Sequence, residues 1–246
     1  MRVLLLAAGK GTRISRYLAG NPKCTVDIGN ERLICYTINM LRSKGVTNIG
    51  VVLGYRDNVV RDTIHDEGIQ YYYNPFFDVT NSVASAWFAK EFIKENEDVI
   101  IMNADVYMDE KIMDIILNCK KNPVLFADSR RKEEADYKFK YHNDVLEKYG
   151  KDLTGEDITG EYIGVAKIGR DFLPTFLERM EKMIKNQNHS VWWENVLYDM
   201  IPEQKIFVEE IGENFWAEVD YIEDYERILN FRNFEMNFSA KEKGNC

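Results

Sequence analysis

Nowhere in the chain do the roughly 18 consecutive apolar residues occur that a membrane-spanning helix needs. Cysteine is scarce: Cys24, Cys35, Cys119 and Cys246 are scattered with no Cys-x-x-Cys pair. That pattern excludes a zinc ribbon or a disulfide scaffold and fits reduced thiols in a reducing compartment. Proline occurs 5 times in 246 residues, with no Pro- or Ser-rich linker, repeat or low-complexity run. One compact domain over residues 1–236, with an elaborated second half and a polar tail over 237–246, is the economical expectation. Positive charge is also in deficit, 32 Lys and Arg against 41 Asp and Glu, a formal net charge of −9. Such a surface repels nucleic acid and anionic membranes, so neither is expected as a partner. His65, His142 and His189 lie far apart in polar surroundings, and no Ser/His/Asp arrangement supports hydrolytic chemistry.

What is present is enough apolar residue, 45% of the chain, to build a core. Val3 to Ala8 is apolar on both faces, as a central parallel strand should be, and runs into a Gly-rich turn after a single Arg. It reads as a strand and not as the apolar region of a signal peptide, so a cytoplasmic location is expected. Short apolar runs then alternate with amphipathic stretches. Strands are predicted at Asn48–Gly54, Ile69–Tyr73 and Asp98–Met102; helices at Glu31–Gly45 and Asp57–Glu67, with another starting at Asn81 and burying Val83, Trp87, Phe88 and Phe92. Val124–Ala127 is a further strand. Ser129–Thr159 is charged and rich in Lys and Tyr, and reads as hairpins or loops over one sheet edge. Later come a strand at Tyr162–Ile168, helices at Asp171–Lys185 and Trp192–Met200, a strand at Lys205–Glu210, and a closing helix at Asp220–Phe234. The alternation is that of a sheet covered by helices.

The most informative segment is Leu5-Leu6-Ala7-Ala8-Gly9-Lys10-Gly11-Thr12-Arg13, followed by Pro22-Lys23. A buried strand that breaks into Gly-x-Gly presents unpaired backbone N–H groups at the carboxyl edge of a parallel sheet, where α/β folds bind ligands. Arg13 and Lys23 add fixed positive charge, which makes a cradle for a polyphosphate. The spacing is wrong for a P-loop, and a third glycine for a dinucleotide fingerprint is lacking.

This signature resembles that of the nucleotidyltransferases that join a nucleoside triphosphate to a phosphorylated small molecule, such as the sugar-1-phosphate and choline-phosphate enzymes. The similarity covers Leu6 to Arg13 and Pro22-Lys23, and extends through Asp105 after the fourth predicted strand to the acidic pair in Glu218-Val219-Asp220. It implies that Asp105 and Asp220 jointly hold Mg²⁺, with Glu218 as a further candidate. The chemistry asks for this independently, because transfer of an α-phosphoryl group needs a hard divalent cation held by carboxylates. Taken as residues alone, Asp105 is equally a turn residue after a strand and Asp220 a helix cap. For the base and ribose the resemblance implies the Ala7-Ala8-Gly9 backbone, next to Leu6, and short polar residues near the third strand, here Asn81, Ser82 and Ser85, which also read as helix capping. Pattern and resemblance together set the expected fold: an α/β, Rossmann-like three-layer sandwich with a mixed, mostly parallel sheet and an elaborated C-terminal half.

The acceptor is expected at Trp192-Trp193-Glu194-Asn195, with Tyr162, Trp216 and Glu218 as neighbours, since aromatic faces beside a carboxylate suit a cationic headgroup. This segment resembles the one near the acceptor site of bacterial choline-phosphate cytidylyltransferases; paired tryptophans on a short helix equally describe a core. The Glu161-Tyr162-Ile163-Gly164 segment resembles acceptor-side strands of the wider family. With 246 residues there is no room for the C-terminal β-helix of many sugar enzymes. The reading is a Mg²⁺-dependent cytidylyltransferase, with Lys23, Arg13, Asp105 and Asp220 as its catalytic set. Gly9, Gly11 and Arg13 hold the triphosphate of CTP, with Thr12 as a further nucleotide contact. CMP passes to phosphocholine, phosphoethanolamine, 2-aminoethylphosphonate, phosphoglutamine or a similar acceptor, with release of pyrophosphate. Such products typically feed surface glycans, as the resemblance implies. The alternatives are a hexose-1-phosphate nucleotidyltransferase using UTP or dTTP, and a silent subunit that only binds nucleotide sugars. A monomer or a homodimer fits, with Tyr137–Tyr149 as a dimer contact or an acceptor lid.

Overall fold

The computed structural model describes residues 1–14 and 16–243, with side chains through Phe234. Four parallel strands, β1 (Arg2–Ala7), β2 (Asn48–Leu53), β3 (Ile69–Tyr73) and β4 (Val99–Asn103), lie side by side in the order β3-β2-β1-β4. Their register runs Leu5 beside Val51 on one flank and beside Met102 on the other. Strand β1 is apolar on both faces because both faces are covered.

On one face pack α1 (Leu33–Ser43), α2 (Asp57–Thr63) and α5 (Glu110–Asn118), through Ile34, Ile38 and Leu41 and through Ile112, Met113 and Ile116. On the other lie α3 (Ser82–Phe88), α4 (Lys90–Ile93), α6 (Leu173–Lys185) and α7 (Asn195–Tyr198), burying Val83, Phe92, Phe176, Met180 and Leu197. Each such side chain withdrawn from water contributes about 1.5–3 kcal/mol. The result is three layers.

The second half changes the pairing. Strand β9 (Gly160–Ile168) runs antiparallel between β4 and β6 (Val124–Asp128), which pairs in parallel with β10 (Phe207–Glu210). The charged stretch over 129–159 contains a hairpin, β7 (Lys138–His142) and β8 (Val145–Gly150). Strand β8 joins β10, and β7 turns back onto the start of β9, with Lys138 opposite Glu161 and Phe139 opposite Gly160. The strands β9, β6, β10, β8 and β7 therefore close a ring beside the parallel sheet. A separate ribbon pairs β5 (Val106–Met108) with β11 (Trp216–Glu218), putting Val106 opposite Glu218. Against that ribbon pack α8 (Ile222–Lys243) and a third cluster formed by Tyr107, Ala217, Val219 and Ile228.

Several sequence expectations need correction. Helix α2 stops at Thr63 and not at Glu67, because Asp66 caps a turn by accepting from Gly68 N–H at 2.7 Å. The helix starting at Asn81 breaks at Ala89 (φ −100°, ψ 15°) into α3 and α4. Trp87 and Phe88 are only half-buried, Trp87 giving its Nε1–H to Glu181 at 2.7 Å. Helicity around Trp192–Met200 is confined to Asn195–Tyr198. Strands β5 and β11 and helix α5 were not foreseen, and the closing helix continues past Phe234 to Lys243. Cys246 lies outside the described residues, and Cys24, Cys35 and Cys119 are free thiols. Among the described residues, no helix is long and apolar enough to cross a membrane.

Candidate functional site

A cavity of about 480 Å³ opens at the carboxyl edge of the parallel strands, within the range typical of ligand sites. Its floor is the chain leaving β1, Leu6 through Arg13, together with Pro22, Lys23 and Cys24. The expected nucleotide contacts Leu6, Ala7, Ala8, Gly9, Gly11, Thr12, Arg13, Lys23, Asn81, Ser82, Ser85 and Asp105 all line it.

The two glycines differ. At Gly9 a Cβ would meet nothing within 4 Å, whereas Gly11 has φ +59° and a Cβ there would meet the Lys23 stem at 2.5–2.9 Å. Gly11 is the position where the backbone must be bare, because the lysine passes directly over it.

Lys23 ends among acids. Its Nζ lies 3.3 Å from Asp105 Oδ2 and pairs with Asp220 Oδ1, while Arg13 pairs with the other oxygen of Asp220. Asp105 stands just beyond β4 and Asp220 just beyond β11, so separate sheets bring them together. Glu218 joins them from β11: one oxygen each of Asp105, Glu218 and Asp220 lies within 4.8 Å of the others. Burial, and then the charges of Asp105 and Asp220, push the Glu218 carboxyl well above the usual carboxylate range. For Lys23, burial disfavours the ammonium, yet Asp105 and Asp220 outweigh it and raise its pKa. Asp220 likewise raises the pKa of Arg13. Three carboxylates this close repel one another unless a cation stands among them, and an all-oxygen donor set suits a hard divalent ion such as Mg²⁺. The residues fit one, and Lys23 and Arg13 supply the compensating charge from the chain itself.

The far wall comes from segments distant in sequence. Asn74, fully buried, gives its side-chain amide to Thr80 Oγ1 (3.1 Å) and Ser85 Oγ (3.0 Å), holding two cavity residues in place. The Asn81 carboxamide caps α3 at Ser82 N–H (2.8 Å), and Ser82 Oγ accepts from Trp193 N–H at 2.9 Å. The stretch carrying the tryptophans is thereby fastened to the start of α3. Its members separate: Trp192 lines the cavity and is 40% exposed, while Trp193 is fully buried and gives its Nε1–H to Asn103 Oδ1 at 3.2 Å. Trp216 is also in the core, 5% exposed, donating to Asp128 Oδ2 at 3.0 Å. Neither Trp193 nor Trp216 is among the lining residues, whereas Tyr162, Glu194 and Glu218 are.

Glu194 is 5% exposed and its Oε2 has no hydrogen-bond partner; burial pushes its carboxyl up to about 7. The Tyr162 hydroxyl beside it is also buried and unpartnered. Asp136, Tyr137, Lys151 and Glu161 complete this wall; Glu161 belongs to the segment whose resemblance placed it on the acceptor side and Tyr137 to the segment read as a dimer contact or lid, whereas Asp136 and Lys151 were not singled out in the sequence. All four reach the cavity only through the closed ring of strands, which no local pattern announces. Glu161 is held by Asp136 N–H (2.8 Å) and Arg131 Nε (3.2 Å). His65 and His142 are exposed, and no histidine lines the cavity.

Comparison with known proteins accords with this geometry. The model of the MobA-like NTP transferase domain matches residues 3–167. The chain is 29% identical to the CTP:phosphoglutamine cytidylyltransferase of Campylobacter jejuni, over 92% of this chain and 98% of that protein. It is 26% identical to the choline-phosphate cytidylyltransferase of Streptococcus pneumoniae, over 93% and 96%. The solved structure of LicC, a CTP:phosphocholine cytidylyltransferase from Streptococcus pneumoniae, superposes with a TM-score of 0.77 at 21% identity, covering 94% of this chain and 98% of that one. The fold is thus the α/β nucleotidyltransferase fold, with a mixed sheet between helical layers.

Proposed function

The chain belongs to the MobA-like NTP transferase family and is a nucleotidyltransferase, and from that premise we propose that it transfers CMP from CTP to a small phosphorylated or phosphonylated acceptor. The observation that carries this reading is the convergence of Lys23, Arg13, Asp105 and Asp220 on one cavity whose floor is the glycine loop. The likeness along nearly their whole length to two cytidylyltransferases supports the choice of base. Residues 1–236 act as one domain, and the enzyme works in the cytoplasm as a monomer or homodimer.

An acceptor phosphate oxygen attacks the α-phosphorus of CTP, the bond from that phosphorus to the bridging oxygen breaks, and pyrophosphate leaves. The nucleophile is already an anion, so no side chain has to take a proton, and the protein's task is alignment and charge neutralisation. The N–H groups of Gly9 and Gly11 and the Arg13 guanidinium hold the β- and γ-phosphates. Lys23 lies between the α-phosphate and the incoming oxygen, where negative charge accumulates. Leu6, Ala7, Ala8, Thr12, Asn81, Ser82 and Ser85 surround the nucleoside. Asp105 and Asp220, with Glu218, would hold Mg²⁺, which when bound neutralises and polarises phosphoryl oxygens. Tyr162, Trp192 and Glu194 orient the acceptor; Trp193 and Trp216 serve the core instead.

Pyrophosphate release with Mg²⁺, crossing CTP, UTP, dTTP, ATP and GTP against phosphocholine, phosphoethanolamine, 2-aminoethylphosphonate, phosphoglutamine and glucose-1-phosphate, tests the reading. A signal confined to CTP and an amine- or amide-bearing acceptor is expected. A signal with a sugar phosphate and UTP or dTTP sinks it and makes the hexose-1-phosphate enzyme the answer.

A further inference from the structure

We infer that the acceptor headgroup is zwitterionic, an amino acid bearing the phosphate, and that Lys151 is the residue that reads its carboxylate. The inference rests on the cytidylyltransferase reading of this cavity and adds a substrate class and a specificity residue to it.

Two groups of opposite charge face the acceptor side. Glu194 is buried, lines the cavity, and has an oxygen without a partner. A buried carboxylate is costly unless a cation or donor meets it, so this one marks where a ligand ammonium belongs. Lys151 is the second group. It sits in the loop after β8, and that loop is pinned by Lys138 Nζ, which donates to the Lys151 and Leu153 carbonyls at 3.1 Å each. From there the Lys151 ammonium stands 5.7 Å from the centre of the Trp192 ring and pairs with both oxygens of Asp136 at 2.9 and 2.7 Å. Trp192 is the exposed tryptophan of the cavity, and the chain's own cation already stands over its ring.

A purely cationic headgroup finds the Trp192 face already taken by the Lys151 ammonium, itself paired with Asp136, and meets Glu194 as the carboxylate with an unpartnered oxygen. A headgroup carrying an ammonium and a carboxylate satisfies both ends: Glu194 takes the ammonium, and Lys151, with three N–H donors, serves the carboxylate alongside or in place of Asp136. Selection then comes from the additional pairing that the carboxylate gains at Lys151 and that a headgroup without one forgoes.

Matched pairs of acceptors isolate the effect. O-phosphoserine and phosphoethanolamine differ by one carboxylate, as do O-phosphohomoserine and 3-aminopropyl phosphate, and the two pairs cover two chain lengths. Relative kcat/KM for CTP-dependent pyrophosphate release is measured within each pair, with phosphocholine alongside, for the wild-type protein and Lys151→Met. In at least one pair the wild type should favour the carboxylate-bearing member tenfold or more, chiefly through KM, and Lys151→Met should shrink that ratio by a similar factor. Equal or better use of the decarboxylated members or of phosphocholine by the wild type overturns the inference while leaving the cytidylyltransferase reading standing. An equal loss on both members of a pair in Lys151→Met also overturns it, since that is the mark of a merely structural lysine. Failure of CTP with every acceptor removes the underlying reading as well.

Discussion

The nucleotide side and the acceptor side of the cavity are built by opposite means. The first is mostly backbone from one contiguous stretch, residues 6–13, with two cations laid over it. The second is side chains drawn from the turn before β7, the loop after β8, the head of β9 and the loop before α7. Backbone donors at a sheet edge do the same work whatever the neighbouring side chains, so that side suits a shared triphosphate. A wall of side chains from several segments is re-specified by single substitutions, which suits the part of the substrate that varies.

The largest test of this division removes the acids. Asp105→Asn should abolish divalent-cation-dependent turnover, by about 10³-fold or more, with circular dichroism and melting temperature unchanged; full activity in this variant would end the metal assignment. Lys23→Ala comes next, with an expected loss of about 10²-fold in kcat that exceeds its loss in CTP affinity, because its charge matters most as the phosphoryl group transfers. Matching losses in kcat and binding would restrict Lys23 to holding the ground state.

On the acceptor side, Glu194→Gln should raise the KM for an ammonium-bearing acceptor about tenfold while the KM for CTP stays put. The pH dependence sharpens the point. Burial raises the Glu194 carboxyl to about 7, above the unfolded value of about 4.3. The folded protein thus keeps a proton that the unfolded chain releases, and this group's contribution to stability falls as pH rises from about 4 to 7 and stays low above that. Glu194→Gln should consequently be the more stable protein at pH 8, by about 2 kcal/mol, checked by urea denaturation. Acceptor affinity in the wild type should strengthen as pH rises through 7, and that slope should vanish in the variant. The smallest effect belongs to Trp216→Phe, which loses the hydrogen bond to buried Asp128: about 1 kcal/mol of stability, with acceptor kinetics unchanged. Altered acceptor KM there would return Trp216 to the binding wall.

Legibility in the sequence follows the same line. The strand and glycine loop over Leu5–Arg13 announce themselves because strand, turn and charge are local properties, and the structure brings Leu6 to Arg13 and Pro22-Lys23 into one cavity. Asp105 was visible as the residue ending a buried run. Trp192 and Trp193 are neighbours of one residue type, and nothing local says which faces the ligand; the hydrogen bond from Trp193 N–H to Ser82, far away in sequence, decides it. Lys151 and Asp136 lie in the charged, Lys- and Tyr-rich stretch over 129–159, where no local pattern separates a cavity residue from a solvated one.

By itself, then, the sequence determined the alternation of strand and helix, the Gly-x-Gly turn that ends the first strand, and the kinds of charge available for phosphate and metal, since these depend on propensity, period and residue chemistry over short spans. Only the tertiary structure decided that β7 folds back onto β9, that the β5–β11 ribbon delivers Glu218 and Asp220 to Asp105, and which tryptophan is core. Those are pairings between residues far apart along the chain, settled by which apolar faces bury together across the whole fold and not by any window of sequence.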